Sequence, residues 1–342
     1  MLKAGLNGLY ATGAQWWLAP LTRGMGIIFT LHHVRPADDN PFRPNGLLEI
    51  TPDFLDRVIA KVKRSGADLV SLAEAHRRIV SGTRERRFVA FTLDDGYRDN
   101  LEHAAPVFRA HDCPYTVFVA TGMPDGAMKL WWRGLERVID ASEGVALEMD
   151  GERHYFQCAE IDEKYATYER IYWWLRRQEE AVKLATVDQL CLDYKIDLAA
   201  LCREASMSWA EIGTIAADPL CTIGAHTMGH HALAKLDDRR MRGEIEGGRR
   251  ILADAIGREP EFFAYPYGDS CSAGKREFEA VADLGFKLAV TTNQAVISRG
   301  ARERLFSLPR VSLNGDYQSM HYVDLLLSGV PFALYNTLQS AA

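Results

Sequence analysis

The sequence has no apolar run approaching the roughly 18 residues that a membrane-crossing helix requires, so no integral span is expected. At the N-terminus Leu2, Leu6, Leu9 and Trp16 are interrupted by Asn7, Gly8, Thr12, Gly13 and Gln15, and no compact apolar stretch precedes a cleavage site. The expected location is therefore cytoplasmic, although a helix lying flat on a membrane stays compatible with this pattern. Basic charge is not in excess either: 40 Lys and Arg face 46 Asp and Glu, giving a net charge of −6 and a pI near 6.0. That excludes the electrostatic footprint of a nucleic-acid binder and favours a neutral or weakly charged substrate. The six cysteines (Cys113, Cys158, Cys191, Cys202, Cys221, Cys271) form no C-x-x-C pair and no zinc-finger spacing, so they read as reduced, mostly buried thiols. Low-complexity segments and internal repeats are absent.

What is present is a 342-residue chain with 47% apolar and 25% charged residues, enough to bury a large core. Since α/β barrels run to ~250 residues as one unit, one elaborated domain is the expectation. Short apolar runs bounded by Gly, Pro or polar residues predict buried strands at residues 27–31, 69–71, 88–93, 115–120, 221–224, 262–265 and 288–290. Helical periodicity fills most gaps, as at residues 52–65, with Thr51 as cap, and 239–256, closed by Gly257. Strands alternating with helices imply a parallel sheet. About seven strands favour a TIM-like (β/α)7–8 barrel, distorted or incomplete, over an open sheet. Residues 130–217 break the rhythm and read as a helix-rich insertion, crowded with Glu, Arg, Tyr and Trp. The expected organisation is a helical extension over 1–23, a barrel domain over 24–330 and a tail over 331–342.

Three short elements sit where strands end. In Phe91-Thr92-Leu93-Asp94-Asp95-Gly96 an apolar strand runs into two adjacent carboxylates and a glycine that can turn sharply. Acids at the carboxyl ends of barrel strands are placed to converge on one site, and a solvated acidic turn is the equally good alternative for this element alone. In Gly224-Ala225-His226-Thr227-Met228-Gly229-His230 two imidazoles four residues apart can face one ion. Two histidines and a carboxylate, with positions left for water, form the donor set of a catalytic metal site. Pro266-Tyr267-Gly268 makes a stiff loop that can present backbone N–H groups, and a plain turn explains it as well.

Taken in order, the T-x-D-D-G element at Thr92 to Gly96, the H-[ST]-x-x-H element at His226 to His230 and the P-Y-G element at Pro266 to Gly268 resemble the motifs of the polysaccharide deacetylase (NodB-homology, carbohydrate esterase family 4-like) family. The resemblance spans roughly residues 24–315. It implies that Asp95, His226 and His230 bind a divalent metal, zinc first with cobalt or manganese as alternatives. It further implies that Asp94 is the general base, that the Tyr267 backbone N–H helps hold the oxyanion, and that Thr227 steadies the loop between the ligands. His231 fits the motif less well than His230, because Leu233 is spaced correctly only from His230.

Two family features are missing. Ala264 stands where many members carry an arginine that orients the base, and Leu308-Pro309-Arg310-Val311 lacks the late histidine that serves many as general acid. The element Leu31-His32-His33-Val34-Arg35 resembles the Tyr-His-x-Val segment of the poly-N-acetylglucosamine deacetylase branch, with His33 aligned to the acid and His32 to the tyrosine. The implied activity is removal of acetyl groups from N-acetylated, or O-acetylated, oligo- and polysaccharides. The alternatives are hydrolysis of another non-peptide C–N bond and a catalytically silent carbohydrate-binding protein. Trp131 and Trp132 are candidates for stacking on sugar rings, with core packing the stronger alternative. Homo-oligomerisation is left open by the sequence.

Overall fold

The computed structural model describes residues 2–82 and 85–341; Met1 and Ala342, the outer ends of the expected extension and tail, lie outside them. Seven strands carry the architecture: β1 (Gly26–Leu31), β2 (Phe88–Leu93), β3 (Tyr115–Val119), β4 (Cys221–Ala225), β5 (Phe262–Ala264), β6 (Leu288–Gln294) and β7 (Leu308–Ser312). All pair in parallel, in the order β1-β7-β6-β5-β4-β3-β2, and the ring closes through a full β1–β2 register from Gly26↔Phe88 to Leu31↔Leu93. The fold is therefore a closed (β/α)7 barrel. The expected second strand at residues 69–71 is reduced to a two-residue strand, Asp68–Leu69, paired with the first residues of β2. The seventh strand of the ring is instead β7, between β6 and β1, whose Pro309 disguises a strand in the sequence.

Side chains alternate between the two faces of each strand. Ile28, Ala90, Phe118, Ala264, Val290 and Leu308 turn inward and pack in one cluster. Ile27, Phe29, Val89, Phe91, Val117 and Val311 turn outward onto the surrounding helices. At Gly224 the interior has no room for more: a Cβ would lie 2.5 Å from the Phe118 ring. This parity, carried past the strand ends, decides which residues look into the mouth of the barrel.

The helices follow the expected caps. Helix Pro52–Arg64 begins at Thr51, whose side chain accepts from the Phe54 N–H, and helix Asp238–Ile256 ends at Gly257 with φ 70°. Between β3 and β4 the expected helix-rich insertion contains five helices and also an antiparallel hairpin, Gly144–Met149 with Glu152–Gln157. It builds its own core, including Trp131, Leu135, Tyr168, Ile171 and Trp174, which reaches the barrel mouth at Tyr267. The chain ends in a helix, Val330–Ala341, and no described helix is long and apolar enough to cross a membrane.

Candidate metal centre and catalytic cleft

Asp94 and Asp95 follow β2 directly and reach the same mouth by different means. Asp94 continues the inward parity of Ala90 and Thr92, and its N–H still bonds the Leu31 carbonyl as a strand residue would. Asp95 would point outward by that parity, but its own backbone turns over, with φ 76°, and Gly96 follows at φ 92°. The sharp turn expected at the glycine thus already begins at the aspartate. A non-glycine residue in this region costs about 1–3 kcal/mol, a strain that persists where the surroundings enforce it.

His226 follows β4, and its Nδ1 lies 2.7 Å from the Ala264 carbonyl oxygen. A carbonyl only accepts, so Nδ1 carries the proton and the Nε2 lone pair is free to face the site. The loop then doubles back with φ 66° at Thr227 and φ 54° at His230. Thr227 Oγ1 accepts the His230 N–H at 3.1 Å, and Glu244 accepts from the N–H groups of Met228 and Gly229 at 3.1 and 2.8 Å. Gly248 lets helix Asp238–Ile256 press against this loop, since a Cβ there would sit 2.7 Å from the Thr227 carbonyl carbon.

These turns bring Asp95, His226 and His230 together, with one donor atom from each lying within 4.8 Å of the others. Asp95 Oδ1 is 3.2 Å from His226 Nε2 and 3.3 Å from His230 Nε2, yet this buried oxygen has no hydrogen-bond partner. Two nitrogen donors and one carboxylate oxygen converging without hydrogen bonding among themselves fit a zinc-like divalent cation. Burial alone would raise the Asp95 pKa, but the adjoining His230 and His226 imidazoles outweigh it and hold the carboxyl well below its usual range. His231 turns away from this trio, its Nδ1 3.1 Å from Glu180 Oε2.

The sequence hid one functional side chain, Arg310. It extends the inward parity of Leu308 on β7 and is wholly buried. Its Nη1 and Nη2 donate to Asp94 Oδ1 and Oδ2 at 2.7 and 2.6 Å, Nη1 also donates to Thr92 Oγ1 at 3.0 Å, and Nε donates to the Thr291 carbonyl at 2.9 Å. Burial pushes the Asp94 pKa up, and the Arg310 charge and hydrogen bonds more than reverse this, leaving it below the ordinary carboxylate value. An arginine thus meets Asp94 from another strand, whereas Ala264 offers no such contact.

The first-strand histidines take the reverse of their expected places. Strand parity sends Ile28, Thr30 and His32 inward, and His32 lines the cleft together with Asp94, Asp95, His226 and His230. Burial lowers its pKa against the opposing pull of the two aspartates. His33 faces outward from the site. Its Nδ1 is 2.6 Å from Asp99 Oδ2, and its ring stacks on Tyr97 with centroids 3.7 Å apart. The assignment of the cleft imidazole to His33 is therefore corrected to His32.

Tyr267 adopts φ 60° at the third corner of the cleft, and among the described residues nothing accepts a hydrogen bond from its N–H. Its hydroxyl accepts from Trp131 Nε1 at 2.8 Å and from Lys183 Nζ at 3.3 Å, and the Arg176 guanidinium covers its ring at 3.9 Å. Trp131 is thus a packing and positioning residue. Trp132, Tyr172 and Trp173 line the cleft, with Trp173 half-exposed at its rim. The cavity encloses about 250 Å³.

Solved structures share this architecture. The deacetylase PplD of Streptococcus pyogenes, determined with acetate, superposes with a TM-score of 0.57 at 17% identity, covering 85% of this chain and 92% of that one. IcaB of Ammonifex degensii gives 0.54 at 17% identity over 89% and 97% of the two chains. A de-N-acetylase from Aggregatibacter actinomycetemcomitans gives 0.53 at 12% identity over 87% and 98%. At such identities the likeness is one of fold, and no curated protein matches the chain by sequence. The model of the family described as polysaccharide deacetylase matches residues 81–289, well over half of the chain and including all three motifs. The chain belongs to the polysaccharide deacetylase family.

Proposed function

We propose that the protein is a metal-dependent hydrolase that removes acetyl groups from N-acetylated oligo- or polysaccharides, with Asp95, His226 and His230 holding the ion. The observation that carries this reading is that the three ligand-type side chains adjoin a separate carboxylate, Asp94, which Arg310 keeps ionised and oriented. Bound there, a divalent ion would polarise the acetamido carbonyl and make a water acidic enough to attack near neutral pH.

Asp94 takes the proton of that water. Arg310 engages both of its oxygens, and each retains a further lone pair for the transfer. Negative charge developing on the former carbonyl oxygen is met by the unpaired Tyr267 N–H, held in place beforehand by the strained loop. His32 passes a proton to the departing amine, which would otherwise leave as a prohibitively basic anion. Trp132, Tyr172 and the half-exposed Trp173 offer ring faces to a sugar at the cleft wall.

Arg310 also removes the main argument for a catalytically silent relative, the lack of a partner for the base. The test is acetate release from N-acetylglucosamine oligomers and from O-acetylated xylans, with and without chelator. The proposal expects release from the N-acetylated oligomers that chelator abolishes. Release from neither substrate in the presence of Zn, Co or Mn would overturn it.

A further inference from the structure

At the opposite end of the barrel from the catalytic cleft, the chain enters β1 through two short helices, Ala14–Trp17 and Ala19–Thr22. Ala14 and Gln15 are buried, but the next two side chains are thrust into solvent: Trp16 is 63% and Trp17 68% exposed, and Leu21 reaches 85%. The segment is not loose. Thr22 Oγ1 donates to the Ser328 carbonyl at 2.7 Å and the Met25 N–H to Ile297 at 2.8 Å. Two adjacent indoles fixed outward cost solvation free energy that a globular domain ordinarily avoids.

Beside Trp16 opens a cavity of about 710 Å³ whose walls carry Arg23, Lys61, Arg64, Arg86 and Arg87 against only Glu85 and Asp324. Both anions are engaged, Asp324 by Lys61 at 2.6 Å and Glu85 by Arg77 at 2.9 Å, and Arg86 pairs with Asp68 at 3.1 Å. Among the described residues Arg23, Arg64 and Arg87 have no ion-pair partner. Arg87 is the anomaly, because its Nε and Nη2 are shielded from solvent and hydrogen-bond to nothing. Burial, aided by the Arg23 charge, pushes its pKa down to about 10. A guanidinium with two shielded, unpaired nitrogens is costly, and an anion approaching the partly exposed remainder of the side chain offsets part of that cost.

We propose that this face docks on an anionic phospholipid bilayer, with Trp16, Trp17 and Leu21 seated at the headgroup level and a lipid phosphate received by Arg23, Arg64 and Arg87. Indoles prefer that interfacial depth, and guanidinium groups are the natural partners of phosphate. Basic residues near an anionic surface and a shallow apolar insertion are the two signals that together make peripheral binding stable. A soluble phosphate compound would satisfy the arginines but leave the indoles unexplained. A protein partner would cover the indoles without calling for the cationic hollow beside them. Docked this way, the patch at the start of β1 and β2 faces the membrane, and the cleft beyond their far ends opens to the aqueous phase.

The test is flotation of the full chain with phosphatidylcholine vesicles, alone or with about one-third phosphatidylglycerol, at low and high salt. The proposal expects binding only to the anionic vesicles and weakening with salt. Arg23→Glu with Arg64→Glu, and separately Trp16→Ser with Trp17→Ser, are each expected to weaken binding by at least about tenfold. These positions are at the surface, and unchanged acetate release would certify that the variants fold. No binding to anionic vesicles, or equal binding by the tryptophan variant, would overturn the proposal. So would self-association in the absence of vesicles that the tryptophan variant abolishes, or binding of inorganic phosphate without any vesicle binding.

Discussion

The guanidinium of Arg310 grips both oxygens of Asp94 from β7, across the intervening strand β1, 2.7 Å from Nη1 to Oδ1 and 2.6 Å from Nη2 to Oδ2. Arg310 is fully buried and Asp94 nearly so, at 0% and 3% side-chain exposure, so water screens this pair little. Removing one partner of such a pair leaves the other buried and uncompensated, at a cost of about 3–5 kcal/mol. Arg310→Met is therefore expected to lower thermal stability markedly and to abolish acetate release. Arg310→Lys keeps the charge but not the bidentate geometry, and should recover part of the stability with little of the activity. Denaturant unfolding and turnover measured on both variants check this.

Asp94 and Asp95 are sequence neighbours with different duties in this scheme. Asp94→Asn is expected to retain metal while losing turnover by about 10²-fold or more, the scale of a positioned proton acceptor. His226→Ala should lose both metal and turnover. Near-normal deacetylation by Asp94→Asn would show that the base lies elsewhere.

The proposed scheme gives the two adjacent histidines separate parts, proton transfer for His32 and architecture for His33. His32→Ala is expected to reduce kcat by about 10²-fold with little effect on unfolding. His33→Ala removes the partner of Asp99 Oδ2 and the ring stacked on Tyr97, and should cost about 1–3 kcal/mol in stability with kcat largely kept. The reverse pattern in steady-state kinetics and thermal melts would restore His33 as the proton donor.

Much of this arrangement is legible in the sequence, and the exceptions have physical reasons. Adjacent acids after an apolar strand, and histidines spaced four apart after another, are local patterns, and the barrel then brings both to its rim. Arg310 escapes such reading because a proline and a buried charge argue against a central strand, and only the closed ring shows that residues 308 and 310 share the interior. Strand parity from Ile28 through Thr30 to His32 does distinguish the two histidines. Counted back from Val34, the histidine of a Tyr-His-x-Val segment likewise falls on His32 rather than His33. The hairpin inside the insertion left a trace too, in the apolar residues at alternate positions Val145, Leu147 and Met149, all buried in the fold. By contrast, the contacts of Glu244 with the ligand loop and of Lys183 with Tyr267 join distant segments, and no local pattern announces them.

Lys183 is enclosed beside Tyr267, with its ammonium 2.7 Å from Glu180 Oε1 and 3.3 Å from the Tyr267 hydroxyl. Lys183→Met removes the charge and leaves Glu180 buried with only His231 as a charged partner. It should lower stability by a few kcal/mol, on the order of 3. Because the Tyr267 loop loses a support, kcat should fall more than KM rises. A variant with unchanged kcat would indicate that the loop needs no such support.

The central claim is that Asp95, His226 and His230 hold one ion and Asp94 does not. Titrating zinc into the metal-stripped protein by calorimetry tests it most directly. The account predicts stoichiometric binding by the wild-type chain and by Asp94→Asn, and its loss in His226→Ala and Asp95→Asn. Equal binding by wild type and His226→Ala, or none by the wild type, would contradict it.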